Sequence, residues 1–226
     1  MSRTGHHRAG AVVFLGPPGA GKGTQARLVA RRLGIPHIST GDLFRENVEK
    51  QTPLGLATQS LMERGELVAD ELVNEMVRQR LCEPDCESGF LLDGYPRTLT
   101  QAEVLKEMLR KREGCGPPVV VNLGVSYTLI VQRLGGRRIC PVCQRTYNLI
   151  SKPPLNDNVC DDDGAALQQR PDDREEAIRE RLAAYEARTA PLIEHYKSEG
   201  RFYEVNADRS PEQITEELFR VLNPGS

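Results

Sequence analysis

Tryptophan is absent and aromatic residues make up only 5% of the chain. Histidine is nearly as scarce, with four in 226 residues. His6 and His7 stand near the start, while His37 and His195 are isolated and read as packing or surface residues. Imidazole-based general acid–base chemistry therefore has no evident seat. Neither sign of charge dominates: 30 Lys and Arg against 32 Asp and Glu give a net charge of −2. The chain thus lacks the electrostatic footprint of a nucleic-acid or membrane-surface binder. No apolar run approaches the roughly 20 residues of a spanning helix. The opening MSRTGHHRAG is basic but has no apolar stretch, so it reads as a frayed tail and not as a secretory signal. No internal repeat or low-complexity tract occurs. Cys82, Cys86 and Cys115 fall on helical or turn-like segments and read as reduced thiols, which points to a cytoplasmic protein.

What remains is a soluble globular composition, 38% hydrophobic and 27% charged, long enough for one sizeable core with an insertion. AVVFL (11–15), FLLD (90–93), VVVNL (119–123) and FYEV (202–205) are short apolar runs that read as buried strands. Helical spacing separates them, over 24–33, from 42 to about 80, over 99–112, over 128–134 up to the Gly135-Gly136 stop, and over 211–222. A long helix with an acidic first turn is expected over 172–200, bent or interrupted at Pro191. Strands alternating with helices predict an α/β fold, a parallel sheet with helices on both faces. The stretch from about 136 to 171 shows neither period and is too long for a connection, so it is expected to be an inserted small domain.

GPPGAGKGT (16–24) lies between the first strand and the first helix, the setting a P-loop requires. Gly16, Gly19, Ala20, Gly21, Gly23 and Thr24 would turn backbone N–H groups onto phosphate, with Lys22 reaching the β- and γ-phosphates. Gly23 occupies the slot where a Ser or Thr usually binds Mg²⁺. Asp93 closes its apolar strand as a Walker-B-like carboxylate would and is expected to orient Mg²⁺ through water; Asp42 is expected either to cap a helix or to join the same shell. Mg²⁺ would then be held largely by phosphates and water. A P-loop GTPase is a rival reading, but no guanine-reading N-K-x-D is present.

Four ordered motifs carry a more specific likeness. G-x-P-G-x-G-K-G-T, then STGDLFR (39–45), LLDGYPRT (91–98) and RLGGRR (133–138), resemble the signature stretches of adenylate kinases within the nucleoside-monophosphate kinases, over about 10 to 222. The resemblance implies a P-loop NTPase-type three-layer fold, with a core of 1–38, 69–135 and 174–226, an AMP-binding segment at 39–68 and a lid at 136–173. It implies Mg²⁺-dependent transfer between ATP and AMP to give two ADP in a monomer, with no nucleic-acid or membrane partner. Such transfer needs no general base, because the attacking phosphate oxygen is already anionic; it needs charge cancellation, for which planar, always-charged arginine is suited. By resemblance Arg45 and Arg97 hold the AMP phosphate, Arg133 and Arg137 lie over the ATP phosphates, and Arg170 and Arg181 clamp the transferring group. Thr40, Val68 and Gln101 would read adenine beside Phe44 and Met62, with Gly94 close by. Thr146, Tyr147 and the backbone at Ala207 would meet ATP, although Asn206-Ala207 replaces the family's common Asp-Gly. The long insertion favours AMP as acceptor, since uridylate and cytidylate kinases usually carry a shorter lid.

The insertion holds CPVC (140–143) and CDDD (160–163). A redox C-x-x-C would normally open a helix, and this one runs into loop residues. Zinc takes four ligands, usually from two short knuckles. Cys140-x2-Cys143 is one such knuckle, and Cys160-x2-Asp163 repeats its spacing, which selects Asp163 over Asp161 and Asp162. Zinc-bearing lids in the resembling family sometimes use Asp in that place. The expectation is a structural zinc that folds the lid, with an unmetallated loop as the alternative. A zinc-ribbon module using its P-loop only as a nucleotide sensor is a further rival, disfavoured by six arginines that a sensor does not need.

Overall fold

The computed structural model describes residues 10–222. The expected frayed tail, with His6 and His7, lies outside the described residues. Five parallel strands form the central sheet: β1 (Gly10–Leu15), β2 (His37–Ser39), β3 (Gly89–Asp93), β4 (Val119–Gly124) and, from the far end of the chain, Phe202–Asn206. Their order is β2, β3, β1, β4 and the Phe202–Asn206 strand. Successive side chains point to opposite faces, so both faces are apolar and the strands read as unbroken hydrophobic runs.

One face carries Ala11, Val13, Leu15, Phe90, Leu92 and Val120. It packs on α4 (Asp70–Leu81) and α5 (Leu99–Arg110) through Val73, Val77, Leu105 and Leu109. The other face carries Val12, Phe14, Leu91, Val121 and Leu123, covered by Ala26, Val29 and Ala30 of α1 (Lys22–Leu33). A C-terminal helix, Pro211–Leu222, completes that layer through Ile214 and Leu218. The result is the three-layer α/β arrangement that the sequence predicts. No helix among the described residues is long and apolar enough to cross a membrane.

Two short helices, α2 (Thr40–Glu49) and α3 (Pro53–Arg64), leave the sheet after β2 and pack closely on one another. An added Cβ at Gly55 would stand 2.1 Å from the Asn47 carbonyl oxygen, so only glycine allows this approach. After α6 (Tyr127–Gly135) the insertion proves more regular than its sequence suggests. Strands β5 (Arg137–Ile139) and β6 (Thr146–Asn148) pair antiparallel as a separate two-stranded sheet. Its buried centre is small: Cys140, Tyr147, Cys160 and Leu167.

The expected long helix over 172–200 is four successive elements. A 3₁₀ turn at Pro171–Asp173 precedes α7 (Glu175–Ala184), a π turn spans Tyr185–Thr189, and α8 (Pro191–Glu199) follows. Pro191 has no N–H to give the preceding turn, and the chain widens there: the Ala190 N–H reaches the Tyr185 carbonyl at 2.8 Å. The remaining elements become β7 (Phe202–Asn206) and α9 (Pro211–Leu222).

Candidate active site and lid metal centre

The P-loop joins β1 to α1 at the C-terminal end of the sheet. Gly16 has φ +133°, and an added Cβ there would lie 2.6 Å from the Leu123 carbonyl oxygen. Gly21, left-handed at φ 89°, starts α1 with no side-chain cap, which leaves the helix's first N–H groups available to an anion. Lys22 folds back over the loop, donating to the carbonyls of Gly16 at 2.6 Å and Pro17 at 2.9 Å. Burial lowers its pKa to about 8; Asp93 works the other way, and Arg97, Arg181 and Arg137 add to the fall. Gly23 faces Asp93, whose Oδ2 would stand 3.3 Å from an added Cβ. Thr24 is exposed on the first turn.

The six arginines predicted from sequence have different surroundings. Arg97 bonds the Gly94 carbonyl at 2.8 Å, and burial followed by the nearby Arg181 lowers its pKa to about 10. Arg170 is also lowered to about 10, by burial and then by Arg45 and Arg137. Its Nε is buried with no hydrogen-bond partner. Arg181 is shifted down by burial and by Arg137, against the pull of Asp172. Arg137 differs: burial opposes its charge, but a two-fold bond to Asp173, at 2.6 and 2.5 Å, carries it above its ordinary value. Arg133 stands apart, donating to the Ala207 carbonyl at 2.9 Å. Lys22, Arg45, Arg97, Arg137, Arg170 and Arg181 thus share one field, several lowering one another's basicity.

Asp42 does not cap α2. Ser39 does, its Oγ accepting the Asp42 N–H at 3.2 Å. The Asp42 carboxylate is instead paired with Arg45 and lies 4.0 Å from Arg27. Burial pushes its pKa up, but the charge and hydrogen bond of Arg45, with the charges of Arg27 and Arg170, together hold it below the usual value. Asp93 is buried, and His37 lies beside it, Nε2 3.5 Å from Oδ2. His37 is therefore not isolated: the β2–β3 register sets Ser39 against Asp93 and brings the imidazole alongside.

On the predicted AMP side, Thr40 is buried and donates to the Gly94 carbonyl at 2.8 Å, while Phe44 and Val68 are buried and Met62 packs against the same core. Gln101 is buried, with its amide bonded to the Arg97 N–H and to Asp70. In the lid, Tyr147 is only 1% exposed. Its hydroxyl accepts the Asp161 N–H at 2.8 Å and lies 3.4 Å from Cys160 Sγ. The ring belongs to the lid's centre, so the expected ATP contact is left to its backbone and to the half-exposed Thr146.

Sequence reasoning missed Asp172 and Asp173. The Asp173 side chain is fully buried between Arg137 and Arg181, and Asp172 Oδ2 meets Arg181 at 3.0 Å. In sequence they looked like the acidic start of a helix; their one signal was position just past Arg170-Pro171.

The lid cysteines converge. One ligand atom from each of Cys140, Cys143, Cys160 and Asp163 can be chosen so that all lie within 4.8 Å of one another. Cys143 and Cys160 sulfurs are 3.5 Å apart, and Cys140 Sγ is 3.2 Å from Asp163 Oδ2. Two equivalent turns build the site. Gln144 and Gly164, each four residues after the knuckle's first cysteine, are left-handed at φ 60° and 74°. Their N–H groups bond back to the Cys140 and Cys160 carbonyls at 3.1 and 3.0 Å. Asp161 is turned to the Leu155 N–H and Asp162 to Arg145, so Asp163 alone of the three faces the cysteines. This donor set fits a tetrahedral zinc ion, whose ligand atoms stand about 3–4 Å apart. No disulfide joins any of the six cysteines.

A P-loop at the C-terminal end of a five-stranded parallel sheet, ringed by arginines, defines a P-loop nucleotide phosphotransferase. Comparison with known proteins narrows the class. The adenylate kinase family model matches residues 14–201. Curated relatives named adenylate kinase align over 93% of the chain: one from Archaeoglobus fulgidus at 48% identity, covering 97% of that protein, and one from Thermotoga petrophila at 49%, covering 96%. A third, from Caldanaerobacter subterraneus subsp. tengcongensis, is 46% identical. The chain belongs to the adenylate kinase family, phosphotransferases of the nucleoside-monophosphate kinase type.

Proposed function

We propose that the chain catalyses ATP + AMP = 2 ADP by direct in-line transfer. The observation that carries this reading is the only partly compensated cationic cluster: Lys22, Arg97 and Arg170 with depressed pKa values and a buried, unpartnered Arg170 Nε. Buried guanidinium groups that repel one another are explained by a multiply anionic ligand between them. Lys22, the loop N–H groups, Arg133 and Arg137 bind the ATP phosphates, with the backbone at Ala207 on the adenine side. Arg45 and Arg97 hold the AMP phosphate, and Arg170 and Arg181 stabilise the transferring group. Thr40, Val68 and Gln101 read adenine between Phe44 and Met62.

Magnesium arriving with ATP would supply neutralisation of the phosphate charge. Asp93 is the residue best placed to hold its water shell, since Asp42 is engaged by Arg45. Zinc, when bound by Cys140, Cys143, Cys160 and Asp163, would tie the two lid knuckles together and take no part in the chemistry. The segments 39–68 and 136–173 act as closing pieces over a core of 1–38, 69–135 and 174–226. Their closure excludes water, which would otherwise compete as acceptor. The enzyme then serves nucleotide balance in the cytoplasm as a monomer.

The test is ADP formation from ATP plus each of AMP, CMP, UMP and GMP. AMP-dependent ADP is expected, with the other acceptors far poorer; its absence refutes the reading.

A further inference from the structure

Gln101 lies in the first turn of α5 and is 3% exposed, with its amide engaged at both ends. Oε1 accepts the backbone N–H of Arg97 at 2.8 Å, and Nε2 donates to Asp70 Oδ1 at 2.8 Å. The other Asp70 oxygen accepts from Thr98 Oγ1 at 2.6 Å. A carboxylate at the start of α4 is thus committed to the first turn of α5. A carboxylate only accepts and a backbone N–H only donates, so both constraints dictate one amide orientation. Turning the amide by 180° would set oxygen against carboxylate and N–H against N–H. Because an amide has two donor hydrogens and two acceptor lone pairs, one of each remains for a ligand.

We infer that Asp70 is a positioning residue for base selection. By fixing which end of the Gln101 amide is nitrogen, it makes the site match a base whose edge sets an amino donor beside a ring-nitrogen acceptor. The inference rests on the reading of Gln101 as a contact to the monophosphate's base. Adenine presents that edge, with N6–H beside N1 or N7. Hypoxanthine and guanine invert it, with O6 beside N1–H. With the ring held between Phe44, Met62 and Val68, an amide free to turn would serve either base. A locked one leaves the inverted base facing buried, unpaired groups, the situation in which hydrogen-bonding sites discriminate most strongly.

The test compares AMP with IMP, which differ at this edge and hardly in size, using the full-length protein. Asp70→Asn keeps the shape but offers either a donor or an acceptor, so it removes one of the two constraints and leaves only the Arg97 N–H to oppose a turned amide, which weakens the lock. The expected result is a rise in KM for AMP and a fall of about tenfold or more in the AMP-over-IMP ratio of kcat/KM. KM for ATP and kcat at saturating AMP should stay near wild type. Asp70→Glu retains an acceptor-only group and should preserve the preference. Where the Asn protein does not fold, Asp70→Ser, which also donates and accepts, is read the same way. An unchanged ratio in an active variant, whatever its Tm, overturns the inference alone, as does a Glu variant as relaxed as the Asn variant. A wild-type protein that forms no AMP-dependent ADP overturns both this inference and the activity on which it rests.

Discussion

Replacing Asp173 by asparagine tests whether the arginines act as one electrostatic unit. The Asp173 side chain is fully buried, bonded twice by Arg137 at 2.6 and 2.5 Å and approached by Arg181 at 3.3 Å. Asparagine keeps the shape but removes the charge and turns one oxygen into an NH₂ facing guanidinium N–H groups. A donor then meets a donor, Arg137 loses its paired carboxylate, and Arg181 loses one of two. Breaking a buried pair in this way costs about 3–5 kcal/mol. Arg137 and Arg181 stay about one-fifth exposed, and Arg181 keeps Asp172 at 3.0 Å, which argues for the lower end, about 3 kcal/mol. For a chain of this length each kcal/mol moves Tm by roughly 2–4 °C, so a fall of about 6–12 °C is expected. The effect of ligand has the opposite sign. More positive charge is left uncompensated, so bound phosphates recover more, and the rise in Tm from a non-hydrolysable ATP analogue plus AMP should exceed that of wild type. Thermal melts with and without nucleotide measure both. An unchanged Tm refutes the buried-pair reasoning, and a nucleotide shift no larger than wild type refutes the shared field.

Arg170→Met removes a buried charge lowered by its neighbours, so the nucleotide-free protein should melt at the same temperature or higher while turnover falls by about 10²-fold or more; a lower Tm with near-normal turnover would contradict the assignment. Lys22 has a folded-state pKa of about 8 against an ordinary 10.5, so the unfolded chain binds more protons between these values and stability should rise with pH across that window, an increment lost in Lys22→Met. Phosphate binding restores the charge, so calorimetry near pH 8.5 should record proton uptake on nucleotide binding, again absent in Lys22→Met. The protein purified without chelator should release one equivalent of zinc on treatment with a mercurial, and Cys160→Ser should lose the metal and lower Tm while keeping the helical signal of the core; a metal-free native protein or an unchanged melt counts against the staple.

The central strands were legible because a parallel sheet covered on both faces must be apolar at every position, as in AVVFL and FLLD. The P-loop was legible because its glycines meet a local backbone demand. The lid strands were not: β5 is Arg137-Arg138-Ile139 and β6 is Thr146-Tyr147-Asn148, three residues each, and they pair across the first knuckle and not through hydrophobic alternation. The π turn at Tyr185–Thr189 was hidden because one extra residue barely disturbs a 3.6-residue period, although Pro191 marked the place. His37 and Asp173 escaped for a different reason. Their partners come from elsewhere in the chain, through strand register for His37 and through the return from the insertion for Asp173, and local pattern carries no trace of either.

The cationic cluster and the lid staple bear on one another. Arg137 and Arg170 border the insertion, and the Arg137 charge reaches Lys22 across the site, where it lowers the lysine's pKa. Without nucleotide, every step that brings these groups together adds repulsion; with phosphates between them the same approach becomes favourable. If the insertion closes as proposed, the nucleotide's differential affinity for the two arrangements is what would drive it, and the shift cannot exceed that difference. For the movement to deliver two arginines in fixed positions, the segment carrying them must behave as a rigid piece. Four buried side chains are too few to make it so, since two of them are cysteines and one a tyrosine turned toward a sulfur. A metal held by both knuckles, as proposed, would supply the missing rigidity while leaving the surface facing the nucleotide free for arginine.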